Sequence, residues 1–164
     1  MTGQNTFHFI TILLCGLVAG LLYSYSCSVN SGLKTLADNE YIKAMQAINI
    51  AIQNPIFFIS FIGLVFIFPT STYLTYKQPL SSSFYYMLFA MIIYFVGVLG
   101  ITMLCNVPLN EQLAKFTIST ATSNEISAMR QSFEKPWNAY HTIRTIASIV
   151  SFSLTILSII KSKM

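Results

Sequence analysis

Four long stretches without a charged residue constrain the fold of this chain more than any other feature. They cover residues 1–33, 44–76, 78–110 and 145–160. A helix needs about 20 consecutive, mostly apolar residues to cross a bilayer. Each stretch supplies one such helix, and we place the four spans at about 7–27, 55–76, 84–105 and 139–160.

The composition agrees with a membrane protein. Hydrophobic residues make up 54% of the chain and charged residues 9%, whereas soluble domains carry about a quarter charged residues. The first span lacks the basic leader of a signal peptide, so we expect it to stay uncleaved. The net charge of +4 comes from scattered residues and does not indicate a nucleic-acid partner.

The segment between the first two spans has the pattern of a further helix. Tyr41, Met45 and Ile48 follow helical spacing. Asp38 or Asn39 would cap its start, and we expect the helix to run into the second span with a kink at Pro55.

The segment between the last two spans also predicts helices. Pro108 is expected to end the third span, and Pro136 to begin the fourth. Thr122 with Glu125 has the spacing of a capping box. Arg130 and Glu134 can form an ion pair four residues apart. The predicted fold is therefore all-α: one domain, 1–164, forming a four-helix transmembrane bundle with a helical cap on one face.

The charges near the spans predict an orientation. The side without the cap carries Lys77, Lys161 and Lys163 and no acidic residue. Short basic segments stay cytoplasmic. We therefore expect both termini inside, in the plasma membrane.

The stretch "KPWNAYHTIRT" collects polar groups where the last apolar run begins. Trp137, Tyr140, His141 and Arg144 share one helical face. One interpretation is an interfacial aromatic belt with an arginine that reaches out to water. The other is a polar pocket under the cap, with Arg144 buried and bonded to a carboxylate or to carbonyls freed near Pro108.

Amide side chains form a second group. Gln46, Asn49 and Gln53 make a stripe without charges, which suits the wall of a pocket. Asn106 and Asn110 flank Pro108, where they would either satisfy freed backbone groups or bind a ligand.

Metal and thiol chemistry have little support. His8 and His141 lie at opposite ends of their spans and cannot share a metal or a haem. Cys27 and Cys105 both lie near outer span ends and could pair, but free thiols are the simpler expectation. His141 is the best general-base candidate because histidine titrates near neutral pH.

The order of the motifs "MQAINIAIQNPIF", "NVPLNEQLAKF" and "W-N-x-Y-H-x-I-R-T" resembles the anthrone oxygenase-like family of small four-span membrane proteins. The resemblance implies a monooxygenase that converts an anthrone to an anthraquinone with O₂ and without metal or flavin. The motif positions that match are Asn49, Asn106, Pro108, Asn110, Arg130, Trp137, His141 and Arg144. The histidine of "NAYH" departs from the asparagine expected there.

Two classes of function remain open at this point. The first is a cofactor-independent monooxygenase acting on a lipophilic aromatic, anthrone- or quinol-like compound, with His141 and Arg144 catalytic. Its expected substrate-binding residues are Tyr41, Gln46, Asn49, Asn106, Asn110, Arg130, Trp137 and Tyr140. The second is a non-catalytic binding protein or subunit, assembled with itself or a protein partner through the cap. A pocket around Arg144 and His141 favours the first, and a flat apolar patch on the cap favours the second.

Overall fold

The computed structural model of the protein describes residues 3–76 and 79–162. Every regular element in these ranges is a helix. The long helices are α1 (Gly3–Lys34), α2 (Asp38–Ala51), α3 (Pro55–Thr75), α4 (Ser82–Ala114) and α5 (Ser123–Ser162), with a 3₁₀ turn at Ile118–Thr120. Four of them, α1, α3, α4 and α5, are long and apolar enough to cross a membrane, which confirms the predicted all-α bundle.

Helices α4 and α5 extend beyond their predicted boundaries because neither Pro108 nor Pro136 lies at a helix end. Pro108 lies inside α4, two residues after the π-helical turns Thr102–Asn106 end. Wider π turns accommodate a residue that breaks the regular hydrogen-bond ladder. Pro136 lies inside α5. The carbonyl that it leaves without a donor belongs to Ser132, which is exposed and can bind water.

The joint between α2 and α3 is a break and not the predicted kink. Helix α2 ends at Ala51, and α3 begins at Pro55. The Asn54 side chain accepts from the Phe57 amide at 3.0 Å, which caps the new helix.

The helix caps are partly as predicted. Ala37, not Asp38 or Asn39, precedes α2, and its amide donates to Glu40 at 3.4 Å. The capping box of α5 is confirmed, since the Thr122 amide donates to Glu125 at 2.7 Å.

The core of the bundle is apolar and closely packed. Leu14, Val18, Leu64, Phe68 and Tyr94 belong to it. Helices α4 and α5 approach closely at Gly97, where an added Cβ would lie 2.6 Å from the Ala147 Cβ. Small residues allow such close approach between membrane helices.

The outward faces of the bundle are also apolar. Phe9, Leu17, Phe66, Leu104 and Ile146 are more than half exposed. Such faces suit lipid contact and support an integral membrane protein. Lys161 lies in the last turn of α5, whereas Lys77 and Lys163 lie outside the described residues.

The cap has its own small core and one central cation. The Arg130 guanidinium binds Asp38 at 3.0 Å and Glu134 at 2.7 Å, which confirms the predicted ion pair with Glu134. It also donates to the carbonyls of Lys34 and Leu36. Arg130 therefore ties α5 to the start of α2.

Candidate functional site

A cavity of about 820 Å³ lies between the cap and the ends of the spanning helices that adjoin it. Helices α1 and α3 supply about half of its apolar wall. The residues of that wall include Leu21, Leu22, Tyr25, Phe57, Phe58, Phe61 and Ile62. Some of the lining residues are exposed, among them Ile50 at 72% and Phe58 at 44%.

Most of the predicted site residues line this one cavity. They are Gln46, Asn49, Asn106, Asn110, Trp137, His141 and Arg144, and Gln53 joins them. The Gln46 amide also donates to the carbonyls of Leu113 and Phe116, at 2.8 and 3.0 Å, so it fastens α2 to the end of α4.

Tyr41, Arg130 and Tyr140 lie outside the cavity. Tyr41 is buried in the cap under the Arg130 guanidinium, 4.5 Å from its ring centre. Burial, and then Glu134, raise the pKa of its phenol, so it stays neutral. Tyr140 is half-buried, since the buried face of α5 follows Trp137, His141 and Arg144 at positions i, i+4 and i+7.

Arg144 is buried at 8% exposure, as predicted, but its predicted carboxylate or carbonyl partner is wrong. Nη1 donates to the Thr102 hydroxyl at 3.1 Å, and Nη2 lies 3.4 Å from His141 Nδ1. Both ion pairs found in the described ranges belong to Arg130. One of them is with Glu134, which is therefore not the partner of Arg144. Glu111 lines the cavity but is exposed. No carboxylate in the described part of the chain therefore compensates the positive charge of Arg144.

His141 is held on one ring face and has a polar neighbour at each ring nitrogen. Its ring stacks on Trp137, with centroids 5.2 Å apart and planes 5° apart. Nε2 lies 3.0 Å from the Ser26 hydroxyl and 3.3 Å from that of Thr145. Because Arg144 has only donors to offer, Nδ1 must be the acceptor. We therefore assign a neutral His141 that carries its proton on Nε2.

Two asparagines of α4 hold Trp137 in place. The Asn106 amide donates to the Trp137 carbonyl at 3.3 Å, and the Trp137 indole donates to Asn110 at 2.9 Å. These bonds, and not carbonyls freed by Pro108, are what the two side chains satisfy. Because the Trp137 ring stacks on His141, the two asparagines position His141 indirectly, through Trp137.

Unpartnered polar atoms concentrate at this cavity. Four buried side-chain atoms in the described part of the chain have no hydrogen-bond partner: His8 Nε2, Asn49 Nδ2, Asn106 Oδ1 and Arg144 Nε. The last three belong to residues that line the cavity. Buried polar groups are normally paired. The cavity therefore suits a ligand with an apolar body and polar atoms at one end.

Sequence reasoning missed Tyr25, Ser26, Thr102 and Thr145. Tyr25 and Ser26 belong to the π-helical turns Tyr25–Val29, which no spacing rule predicts. Thr102 begins the π-helical turns of α4, and Thr145 follows Arg144 directly. The one signal in the sequence was the run of polar residues Tyr23–Ser26 inside the first predicted span.

The site offers no evident place for a metal. Among residues 3–76 and 79–162, no three His, Cys, Asp or Glu side chains cluster to hold one. Cys15, Cys27 and Cys105 are free thiols.

The fold and the cavity together define a small four-helix integral membrane protein with a polar site beneath a helical cap. Its family follows from sequence comparison. The family model described as anthrone oxygenase matches residues 51–154, well over half of the chain, and the chain belongs to that family. Searches of curated proteins and of solved structures found no match.

Proposed function

We propose that the protein is a cofactor-independent monooxygenase that oxidises a lipophilic, planar aromatic compound, anthrone- or quinol-like, inside this cavity. The observation that carries the proposal is the buried Arg144 guanidinium. It has no carboxylate partner among the described residues and keeps an unpaired Nε beside an aromatic-lined cavity. A buried, preorganised cation stabilises an anion that forms next to it. Family membership supports the same chemistry.

The first step is loss of a proton from the acidic methylene of the substrate. Arg144 binds the keto oxygen, which gains negative charge as the enolate forms. When Nη2 turns to that oxygen, it leaves His141 Nδ1 and frees the lone pair of that nitrogen. His141 then accepts the proton, and the enolate lies against both cations. The planar walls, Trp137 and Phe57 among them, suit a flat substrate.

The enolate carbon supplies the electrons that reduce O₂, so no metal or flavin is required. A C–O bond forms and gives a peroxide, which becomes a hydroperoxide on protonation. Loss of the second methylene proton then makes the new carbonyl while the O–O bond breaks. One oxygen atom stays in the product and the other leaves in water. That water takes up the equivalent of the two protons lost from the methylene group.

The test uses purified protein in detergent with a panel of hydroxyanthrones under ¹⁸O₂, corrected for spontaneous oxidation. The proposal expects a quinone with one ¹⁸O atom, one O₂ consumed per product, and no requirement for added metal. His141→Gln should lower the rate by about 100-fold or more. His8→Gln is the matched control, because His8 is equally buried but lies outside the cavity.

A binding protein would give a different result. Saturable binding of the same compounds with no rate above the spontaneous reaction, across the panel, would favour the non-catalytic class. The cavity lined by Arg144 and His141 supports the enzyme over assembly through a flat cap surface.

A further inference from the structure

The peroxide step needs a proton donor, and nearly all the hydroxyl groups around His141 are unsuited to it. Three of them already donate to backbone carbonyls. Ser26 donates to Leu22 at 3.3 Å, Thr102 to Val98 at 2.6 Å and Thr145 to His141 at 2.9 Å. Their protons are committed to the helices that carry them.

Tyr25 is the exception. Its ring lines the cavity, 5.9 Å from the His141 ring and 6.4 Å from that of Trp137. Within the described ranges its hydroxyl has no hydrogen-bond partner, and Tyr25 lines the same cavity as the Arg144 cation.

The backbone places Tyr25 there by a local irregularity. Tyr25 and Ser26 share the π-helical turns Tyr25–Val29. Ser26 bonds to His141, so the same turns bring the Tyr25 ring beside the histidine. Single π-helical turns inside α-helices are frequent at functional sites.

We propose that Tyr25 is a catalytic residue, the acid that protonates the peroxide formed from O₂ in this cavity. This assignment rests on the proposed oxygenase function. A peroxide anion is a stronger base than a phenolate, so the phenolic proton passes to the distal oxygen and gives the hydroperoxide. Arg144 stabilises the resulting phenolate. The imidazolium of His141 returns the first methylene proton to Tyr25. Neutral His141 then removes the second as the O–O bond breaks and passes it to the released hydroxide, which leaves as water.

The deciding variant is Tyr25→Phe, which keeps the ring and removes only the hydroxyl. Three measurements are made on the full chain in detergent. They are turnover of the best hydroxyanthrone, exchange of its methylene protons with D₂O under anaerobic conditions, and quenching of the fluorescence of the single tryptophan, Trp137, by the quinone product. Tyr140→Phe is the matched control, since Tyr140 precedes His141 but lies outside the cavity.

Tyr25→Phe should lose about 100-fold or more in turnover while keeping anaerobic exchange and quinone affinity within about twofold. His141→Gln should lose the exchange as well, and Tyr140→Phe should match the parent throughout. If the parent turns over and Tyr25→Phe retains its rate, Tyr25 is not the acid, although the oxygenase stands. If Tyr25→Phe loses exchange and turnover together, then Tyr25 acts on the fold or on the base His141. The assignment of Tyr25 as the acid is wrong in that case too. A parent with neither exchange nor turnover overturns both proposals.

Discussion

Replacing Arg144 with methionine should leave the ligand-free protein as stable as the parent, or more stable, while removing its activity. The guanidinium is 8% exposed and has no carboxylate partner in the described parts of the chain. Burying an ion costs several kcal/mol, about 4–5 here. The contacts of Arg144 within the protein offset part of this cost, and ligand binding would offset the rest.

The opposing contributions are small. The bond to Thr102 at 3.1 Å contributes about 2 kcal/mol, and the 3.4 Å approach to His141 is too long to add much. An unpaired His141 Nδ1 costs about 1 kcal/mol, and the contact of the cation with Trp137 contributes about 0.5 kcal/mol. The free energy of unfolding of Arg144→Met should therefore be unchanged or higher by up to about 2 kcal/mol.

Arg130→Met is the matched control. Arg130 binds two carboxylates and two carbonyls, so its loss should lower the free energy of unfolding by about 2–3 kcal/mol. The assay is reversible unfolding in mixed detergent micelles, followed by far-UV circular dichroism without ligand. If Arg144→Met lost 3 kcal/mol or more, Arg144 would be a structural ion like Arg130, and the reasoning about an uncompensated charge would be refuted.

Three further changes test other parts of the structure. Asn110→Leu removes the acceptor of the Trp137 indole, so the tryptophan emission maximum should shift and turnover should fall about tenfold. An unchanged spectrum would contradict the role of Asn110 in holding Trp137. Gly97→Ala should destabilise the bundle by about 1–3 kcal/mol in the same unfolding assay, with recovery in the double variant Gly97→Ala/Ala147→Gly, whereas Gly20→Ala, with open space around it, should be neutral. In a cysteine-free background, a membrane-impermeant thiol reagent applied to intact cells should label a cysteine at position 125 and not one at position 79; the reverse would place the cap inside.

The bundle could be predicted from sequence because a helix that crosses a bilayer needs about 20 mostly apolar residues, and stretches of that length without charges are easily recognised. Local signals with a defined geometry were also sufficient, as for Thr122 with Glu125. The two prolines were misread because π-helical turns and exposed carbonyls compensate for a missing donor, and neither is visible in a pattern of residue types.

The candidate site was only partly accessible in the same way. The i, i+4, i+7 spacing brought Trp137, His141 and Arg144 together correctly. Spacing could not assign partners between helices. Glu134 pairs with Arg130 on the same helix. Arg144 bonds to Thr102 on α4, and no local spacing rule connects these two residues. The position of the Tyr25 ring depends on the π-helical turns Tyr25–Val29, which cannot be predicted from a pattern of residue types.

Binding at the cavity is tested most directly by the fluorescence of Trp137, because this chain has a single tryptophan and its ring stacks on His141. Titration with a hydroxyanthraquinone, which cannot react further, should quench that emission to saturation. Arg144→Met should weaken the binding at least tenfold, and Arg130→Lys should leave it unchanged. Hydroxyanthrone turnover without saturable quenching, or equal quinone affinity in Arg144→Met, would contradict a site built around Arg144 and His141.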